Sequence, residues 1–368
     1  MDYRIGAIFL ASLFLCLNAF SQKSEVIYLG GPRSIIVSDQ LPENITSERS
    51  LIVIDTESEQ KGGFETRGEW KTFSQTLHKS IRRIGLDPIA YIHASDLFSG
   101  PEAKDTYRSL LELRQVKNII HVRRETITQL PQYTLTIFSF SPTRIVQDGA
   151  KAYTDTNNDL GDLLLKMGRQ VLRQELVRSN FLIPESPEYL EDLPLFTGQK
   201  FENYPSRLRS QKLAVVAFPK TPTEDIEDES VLDKINEYNQ EVDRKNQTLN
   251  SLMSKYPYKF ELTTETNIEA LYNAGFQYVL MPLSSSSESV KQMLNYPTIR
   301  SETHHMTNTF NVENQVELQK IPVDSYVTKY YIKQTIVKDI HTGKFWDAGV
   351  TWEKGLENFI FNLNQTIR

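Results

Sequence analysis

Leu51-Ile52-Val53-Ile54 is an unbroken run of large apolar residues, which is typical of a strand buried on both faces of a sheet. Apolar residues at helical spacing follow it and predict an amphipathic helix that ends at Gly85. They are Trp70, Phe73, Leu77, Ile81 and Ile84. Further strands are predicted at residues 89–92 and 118–122, with a helix between them that begins near Pro101. This alternation predicts layered α/β structure from residue 50 onward.

A second series of the same kind begins at Lys212-Leu213-Ala214-Val215-Val216-Ala217-Phe218, which is again a buried-type strand. Apolar spacing then predicts a long helix over residues 231–252. A strand at 258–262, a short helix at 267–274 and a strand at 276–281 come next. The second half of the chain therefore repeats the element order of the first half.

Each series is predicted to close with two strands and an amphipathic helix. The strands lie at 133–140 and 144–153 in the first half, and at 326–340 and 344–352 in the second, across the His341-Thr342-Gly343 turn. The apolar faces of the closing helices have the same spacing, Leu160, Leu163, Leu164, Met167 and Val171 against Leu356, Phe359, Ile360, Leu363 and Ile367. Any two amphipathic helices can be aligned in this way, but agreement of the whole element order favours a tandem duplication.

The sequence thus predicts an α/β fold, with α+β as the alternative, built as two similar sandwich domains with mixed sheets. The first domain covers residues 50–178 and the second covers 211–368, and a strand segment at 22–49 precedes them. Residues 179–210 are predicted to be an interdomain linker, because they contain four prolines and no apolar periodicity.

The N-terminal residues 1–21 have the pattern of a cleavable signal peptide. Arg4 precedes a continuous apolar run at 5–17, and Ala19-Phe20-Ser21 places small residues where a signal peptidase cuts. The alternative is an uncleaved anchor, although the run is shorter than the about 20 residues that a membrane-spanning helix needs. Cys16 is the only cysteine and lies inside this segment. A mature chain without cysteine, exported and free of disulfides, suggests a bacterial periplasm or outer surface.

Charge and composition exclude some classes of partner. The net charge is −6, and the basic residues are dispersed along the chain. A nucleic-acid surface needs clustered Lys and Arg to displace counterions, so no nucleic-acid partner is expected. No second apolar segment reaches the length of a membrane span.

The second half resembles the small α/β domains of bacterial envelope proteins. The shared features are the strand at 213–218, the phrase Tyr278-Val279-Leu280-Met281-Pro282-Leu283, and a hairpin with Asp339, a Thr-Gly turn at 342–343 and Trp346. Such domains occur at the N-terminus of the Tol-system propeller protein and in the curli-secretion lipoprotein. The resemblance covers residues 211–368 and, more weakly, 50–178. It implies an envelope location and partner binding without catalysis. The lipoprotein cysteine and a pore-forming segment are absent, so a secretion-channel function is not implied.

Asp55 and Glu57 are candidates for an acidic site. They follow the first strand, where α/β folds often place ligand-binding groups, and paired carboxylates can hydrolyse glycosidic bonds. Lys61-Gly62-Gly63 comes soon after them and favours the alternative of a solvent-exposed loop.

Aromatic residues near the C-terminus are candidates for a partner or sugar surface, because aromatic side chains concentrate binding energy. They are Tyr326, Tyr330, Tyr331, Phe345, Trp346 and Trp352, of which Tyr330, Trp346 and Trp352 are the chosen binding residues. The alternative is the protein core, since side chains alternate between the two faces of a strand.

Other motifs do not reach the requirements of a known site. His304-His305 is the best metal candidate by residue type, but adjacent residues on a strand point to opposite faces. Gly30-Gly31 and Gly62-Gly63 lack the lysine and the spacing of a phosphate-binding loop. No metal and no cofactor is therefore expected.

The favoured interpretation is a non-enzymatic binding or scaffold protein of the bacterial envelope. It would engage an envelope or outer-membrane protein through a sheet edge or the aromatic surface. The alternative is a secreted or periplasmic hydrolase that acts on glycans or peptides through Asp55, Glu57 or a histidine. This alternative requires a concave site that contains carboxyl groups with shifted pKa values.

Overall fold

The computed structural model describes residues 24–191, 198–224, 226–297, 304–312, 315–344 and 346–367. The predicted signal segment at 1–21, Cys16 included, lies outside the described residues. Within them, no helix has the length and apolar character needed to cross a membrane.

Strands and helices alternate along both halves of the described chain. The strands are β1 (Ser24–Tyr28), β2 (Pro32–Ser38), β3 (Arg49–Thr56), β4 (Glu59–Lys61), β5 (Phe64–Thr66), β6 (Asp87–His93), β7 (Val116–Ile127), β8 (Leu130–Ser139), β9 (Ala150–Asn157), β10 (Lys200–Phe201), β11 (Leu213–Val216), β12 (Phe260–Thr263), β13 (Tyr278–Ser286), β14 (His305–Val312), β15 (Gln315–Pro322), β16 (Tyr326–Gln334) and β17 (Ile340–His341). The helices are α1 (Trp70–Ile84), α2 (Ala94–Leu97), α3 (Pro101–Leu113), α4 (Leu160–Arg173), α5 (Glu229–Met253), α6 (Ile268–Asn273), α7 (Ser287–Met293) and α8 (Trp352–Thr366).

Two mixed sheets form the framework of the fold. The first has the order β1-β2-β9-β8-β7-β3-β6, and the second has the order β10-β17-β16-β13-β11-β12. In the first sheet β3 is parallel to β6 and β7, whereas β8 is antiparallel to its neighbours. In the second sheet β11 is parallel to β12 and β13, whereas β16 is antiparallel to its neighbours. These sheets confirm the predicted α/β class.

The two sheets share strand order and strand direction over six positions. The run β2-β9-β8-β7-β3-β6 corresponds to β10-β17-β16-β13-β11-β12, and the outermost β2 and β10 are each parallel to their neighbour. The two halves therefore agree in the order of their hydrogen-bonded strands as well as in the order of elements along the chain, from which the duplication is predicted. The duplication itself stays a prediction.

The described residues form five layers, in the order helices, sheet, helices, sheet, helices, and three apolar clusters lie between these layers. One cluster lies between the first sheet and the helices α1 and α4, with Leu77 and Met167 in it. Another lies between the second sheet and the helices α5 and α8, with Phe359 in it. The largest lies between the two sheets, where α3 and α7 pack, and joins residues of both halves such as Tyr107 and Met281. The halves therefore share one core, and burying that core stabilises both of them.

Residues predicted as a linker pair with both sheets where the structure describes them. The Tyr91 N–H donates to the Glu188 carbonyl at 2.8 Å, and the Leu190 N–H donates to the Tyr91 carbonyl at 2.9 Å. These bonds cover the β6 edge of the first sheet. Further along, β10 adds a strand to the opposite edge of the second sheet. The described part of 179–210 thus contributes hydrogen bonds to an edge of each sheet.

Three predicted elements differ from the structure. The strand predicted at 144–153 begins only at Ala150, because a turn with Gly149 at a φ of 72° precedes it. The strand predicted at 344–352 is replaced, in its described part, by irregular chain with a single bridge from Gly349 to Thr328. The hairpin turn falls at 335–339 rather than at His341-Thr342-Gly343. The hairpin of β14 and β15 carries no strong alternation and was not predicted.

Candidate functional site

The carboxyl ends of β3 and β6 meet at one edge of the first sheet. The chain leaves β3 through α1, which packs on one face, and leaves β6 towards α3, which packs on the other. The strand after the first helix, β6, lies on one side of β3, and the strand after the second, β7, lies on the other side. The strand order therefore reverses at β3. Ligands of open α/β sheets bind in the crevice outside such a reversal.

Asp55 lies at this edge and faces two basic side chains. Its Oδ2 is 3.6 Å from His121 Nε2 and 4.0 Å from Arg123 Nε, so the contacts are electrostatic rather than hydrogen bonds. Burial opposes ionisation of the carboxyl, but His121 and Arg123 outweigh it and hold the pKa of Asp55 below its usual value. Asp55 is therefore a carboxylate at neutral pH.

Glu57 has a different partner. Its Oε2 accepts a hydrogen bond of 2.8 Å from the Thr126 N–H, and its own N–H donates to the Arg124 carbonyl. These bonds fasten the chain that follows β3 to the end of β7. Residues 59–66 then form the small hairpin of β4 and β5 around Gly62 and Gly63. The structure thus gives Glu57 a role in loop attachment and does not pair it with Asp55.

A buried ion pair lies beside Asp55. Arg67 Nη1 donates to Asp96 Oδ2 at 2.6 Å, and both side chains are almost completely inaccessible to solvent. Asp96 Oδ1 accepts a bond of 2.5 Å from the Ser285 hydroxyl, which belongs to β13 of the other half. Burial would raise the pKa of Asp96, but the Arg67 charge and the Ser285 bond lower it overall. Asp96 is therefore ionised and fully paired.

The polar chain continues from Ser285 to His93. Ser285 Oγ is 3.0 Å from Ser95 Oγ, and the Ser95 N–H donates to His93 Nδ1 at 3.2 Å. Because Nδ1 accepts this bond, the ring proton is on Nε2, which lies 3.3 Å from Thr56 Oγ1. Burial and the nearby Arg67 charge lower the pKa of His93 to about 4. The imidazole is therefore neutral at physiological pH. We refer to Thr56, Arg67, His93, Ser95, Asp96 and Ser285 as the interhalf network.

A cavity of about 570 Å³ opens beside this network, and we refer to it as the cleft. Residues of both halves line it, namely Lys61, Arg67, Gly68, Glu69, Trp70, Lys71, Glu288, His304, His305, Val323 and Asp324. Among the described residues of this lining, three side chains are cationic and three are anionic. The Arg67 guanidinium lies 5.4 Å from the ring centroid of Trp70, and Lys71 pairs with Glu191 at 2.7 Å. The cleft thus combines both signs of charge, and the buried Trp70 ring packs behind the Arg67 guanidinium.

His304 and His305 lie at the rim of the cleft and are exposed to solvent. His304 immediately precedes β14, and its carbonyl accepts a bond from the Val323 N–H at 3.1 Å. In the part of the chain that the structure describes, no group of three or more His, Cys, Asp or Glu side chains is arranged to hold a metal ion.

The aromatic surface predicted from Tyr330, Trp346 and Trp352 is wrong. Tyr330 is 2% exposed and Trp346 is 8% exposed, and both belong to the apolar clusters. Trp352 is half-buried and packs edge-on against Phe218. For Tyr330 the physical reason is that β16 is an interior strand whose two faces are both covered, so the alternation of its side chains exposes neither face. Trp346 lies in irregular chain before α8 and packs edge-on against Tyr296. Phe345 lies outside the described residues.

Most residues of the interhalf network have no sequence signal. The neighbouring Ser286 is the N-cap of α7, where its hydroxyl accepts from the Ser289 N–H. Arg67, Asp96 and Ser285 come from distant parts of the chain, and only the packing of the halves brings them together. A single buried arginine or aspartate looks like a surface residue until its partner is known.

The carboxyl groups of Asp55 and Asp96 differ from the carboxyl pair of a glycosidase. A glycosidase needs one carboxyl group that keeps its proton, whereas Asp55 and Asp96 both have lowered pKa values. Burial raises the pKa of Glu102, but that carboxyl pairs with Lys333 at another point between the halves. Comparison with protein-family models finds no match for this chain, and comparison with curated protein sequences finds none either.

Proposed function

We propose that this chain is an exported, non-enzymatic binding protein of the bacterial cell envelope that engages a protein partner at the cleft. The observation that carries the proposal is the cleft itself, whose described lining comes from both halves and includes three cationic and three anionic side chains. Protein surfaces recognise one another by charge complementarity between the partners. The signal-like residues 1–21 and the resemblance to envelope domains support the location.

The buried network explains how the cleft keeps its shape. Arg67 is held by Asp96 on one side and packs on Trp70 on the other, so the floor of the cleft is fixed before a partner arrives. A preorganised site avoids the entropic cost of ordering side chains on binding. The rim, with Glu69 and His305, remains exposed for contact. A sheet edge, the other surface expected from sequence, is partly covered at β6 by residues 188–190.

A capture experiment with charge-reversed variants tests this proposal. Residues 22–368 are immobilised and exposed to a detergent extract of envelope fractions, and the retained proteins are identified and quantified. Glu69→Lys reverses an exposed charge at the rim, and Glu112→Lys makes the same change on the exposed face of α3 as the matched control. We expect the unmodified chain and Glu112→Lys to retain one envelope protein in near-stoichiometric amount. We expect Glu69→Lys to retain about tenfold less, since like-charge contacts at an interface cost several kcal/mol.

Two results would contradict the proposal. One is equal retention of the same protein by Glu69→Lys and Glu112→Lys, because the cleft would then not be the binding surface. The other is saturable binding of a purified glycan or peptide with turnover to a cleaved product, because the chain would then be a hydrolase. Thermal unfolding of each variant confirms that a lost interaction is not lost folding.

A further inference from the structure

A second pocket lies at the carboxyl ends of the parallel strands of the second sheet. There β11 is flanked by β12 and β13, while α5 packs on one face and α6 on the other, so the strand order reverses as it does around β3. The pocket is bounded by residues 216–222 after β11, by Thr264 and Thr266 after β12, and by Pro282 of β13. It therefore occupies the position at which open α/β sheets bind ligands.

The first half of the chain contributes positively charged side chains to the lining of this pocket. Among the described residues that line it, five side chains are cationic and Asp105 is the only acidic one. The cationic residues are Arg33, Lys104, Arg108, Arg144 and Lys220. Arg33 and Arg144 share a single carboxylate, that of Asp148, at 3.2 and 3.4 Å. The chain as a whole has a net charge of −6, which contrasts with this local excess of positive charge.

Among the cationic side chains of this pocket, Lys104 has the charge that is least neutralised by carboxylates. No salt bridge to it is found in the part of the chain that the structure describes, although it is half-buried. Burial lowers the pKa of Lys104, and the charges of Arg33, Arg144 and Arg108 lower it further. An anion placed among these groups would relieve their mutual repulsion. The N-terminus of α3 also lies here, and its N-cap Gly100 offers no side-chain cap for the first amides.

The shape of the pocket suits a small molecule with a ring. Its volume is about 500 Å³, and Phe98, Phe218 and Tyr238 form part of its wall. Gly30 has a φ of 67°, and a Cβ there would lie 2.2 Å from the Phe98 ring, so only glycine fits. The Gly30-Gly31 pair lacks the lysine of a phosphate-binding loop in the sequence, but the fold places Lys104 of α3 in the same pocket. Glycine lets backbone approach a bound anion closely.

We propose that this pocket binds a phosphorylated small molecule, with its phosphoryl group among Arg33, Lys104 and Arg144 and its ring against Phe98 and Phe218. Guanidinium groups match the oxygens of a phosphoryl group in pairs, and a lysine adds a point charge. Several cations around one anion favour the doubly charged phosphoryl group over a single carboxylate. The pocket lies between the two halves, and its volume of about 500 Å³ favours a small ligand over a polymer. This binding is separate from partner binding at the cleft.

Titration calorimetry with residues 22–368 tests the proposal, with adenosine diphosphate, inorganic phosphate and citrate as the probes. We expect adenosine diphosphate to bind at one site and more tightly than phosphate, and citrate to bind more weakly than adenosine diphosphate. Lys104→Ala and Arg33→Ala are each expected to weaken the binding of adenosine diphosphate by about tenfold or more, because each removes a charged hydrogen-bond donor. Lys104→Arg keeps the charge and is expected to bind within about threefold of the unmodified chain.

Lys255→Ala is the matched control, because Lys255 is an exposed lysine that pairs with Glu357 on the far side of the second sheet. It should leave the affinity unchanged, as should Glu69→Lys in the cleft, so this test is independent of the partner. The proposal is overturned if no phosphorylated probe binds saturably at millimolar concentration. It is also overturned if citrate binds as tightly as adenosine diphosphate, or if Lys255→Ala weakens binding as much as Lys104→Ala does.

Discussion

The Ser285 hydroxyl donates to the Asp96 carboxylate over 2.5 Å in a position that solvent does not reach. Asp96 belongs to the first half of the chain and Ser285 to the second. The Ser284 N–H also donates to the Ser99 carbonyl at 2.7 Å, and Lys333 pairs with Glu102 across the same boundary. The halves are therefore joined by buried polar bonds as well as by a common apolar core.

Asp96→Asn should destabilise the protein strongly. The variant keeps the shape of the side chain but leaves the Arg67 guanidinium buried without a counter-charge. Loss of one partner of a buried pair costs about 3–5 kcal/mol. Urea unfolding measures the free-energy difference, with Glu261→Gln as the control, because that carboxylate forms an exposed pair with Lys212 worth at most about 1 kcal/mol. Equal effects of the two substitutions would show that the Arg67–Asp96 pair is not buried in solution.

Stability should fall as the pH drops from about 6.5, the usual pKa of histidine. His93 has a pKa of about 4 in the folded state, so the unfolded chain takes up a proton between these values and the folded chain does not. The free energy of unfolding is therefore expected to decrease by about 3 kcal/mol across this window. Asp55 and Asp96, whose pKa values are lowered, contribute stability above about pH 4 that is lost on further acidification.

Urea unfolding of the unmodified chain and of His93→Gln, at several pH values from 7 to about 4, isolates the histidine contribution. Burial also lowers the pKa of His341, so the variant should retain a smaller slope rather than none. The same pH dependence in both proteins would contradict a buried, neutral His93.

Two glycines in helices should respond to alanine with opposite signs. In α4, a Cβ on Gly168 would make an ordinary contact of 3.6 Å with Ile84, so Gly168→Ala should stabilise the protein by up to about 1 kcal/mol through helix propensity. In α8, a Cβ on Gly355 would lie 2.4 Å from the Thr328 carbonyl oxygen of β16. Gly355→Ala should therefore destabilise the protein by at least about 1 kcal/mol despite the better propensity. Thermal unfolding of both variants measures the signs, and stabilisation by both would contradict the close packing of α8 on β16.

Tyr330→Ala should behave as a core substitution. Tyr330 packs among the apolar residues beneath α8, so its removal should cost about 3–5 kcal/mol, as loss of a buried aromatic ring does. Tyr272→Ala on the exposed side of α6 should cost at most about 0.5 kcal/mol. Chemical unfolding separates the two outcomes. A similarly small effect of Tyr330→Ala would contradict the burial of Tyr330 in the core.

The sequence predicts the framework of this fold well because most elements have strong local signals. Helix α1 ends at Gly85 with a φ of 94°, and α3 begins at Pro101, both as predicted. The errors arise where local pattern and tertiary contact disagree. Residues 346–351 are largely buried and looked like a strand, yet they pack as irregular chain against β16 and α8. Apolar content predicts that such a segment is buried in the core, but it does not predict that the segment forms a strand hydrogen-bonded to a neighbour.

The candidate site was much less predictable than the fold. The position of Asp55 follows from the end of β3, which sequence reasoning identified. His93 and Asp96 follow the next strand, but nothing local distinguishes a buried, paired aspartate from a helix-capping one. Their significance depends on Arg67 and Ser285, which reach them only through tertiary packing. A single sequence therefore does not reveal which residues that are distant along the chain contact each other in the fold.

Photo-cross-linking in intact cells tests partner binding at the cleft most directly. A photo-reactive phenylalanine derivative replaces Glu69 at the cleft rim in one version of the full chain and Glu112 on α3 in another. Irradiation is expected to join the version labelled at position 69 to a single envelope protein, and to leave the version labelled at position 112 free of that product. Cross-linking of the same protein from both positions, or from neither, would contradict a partner-binding cleft.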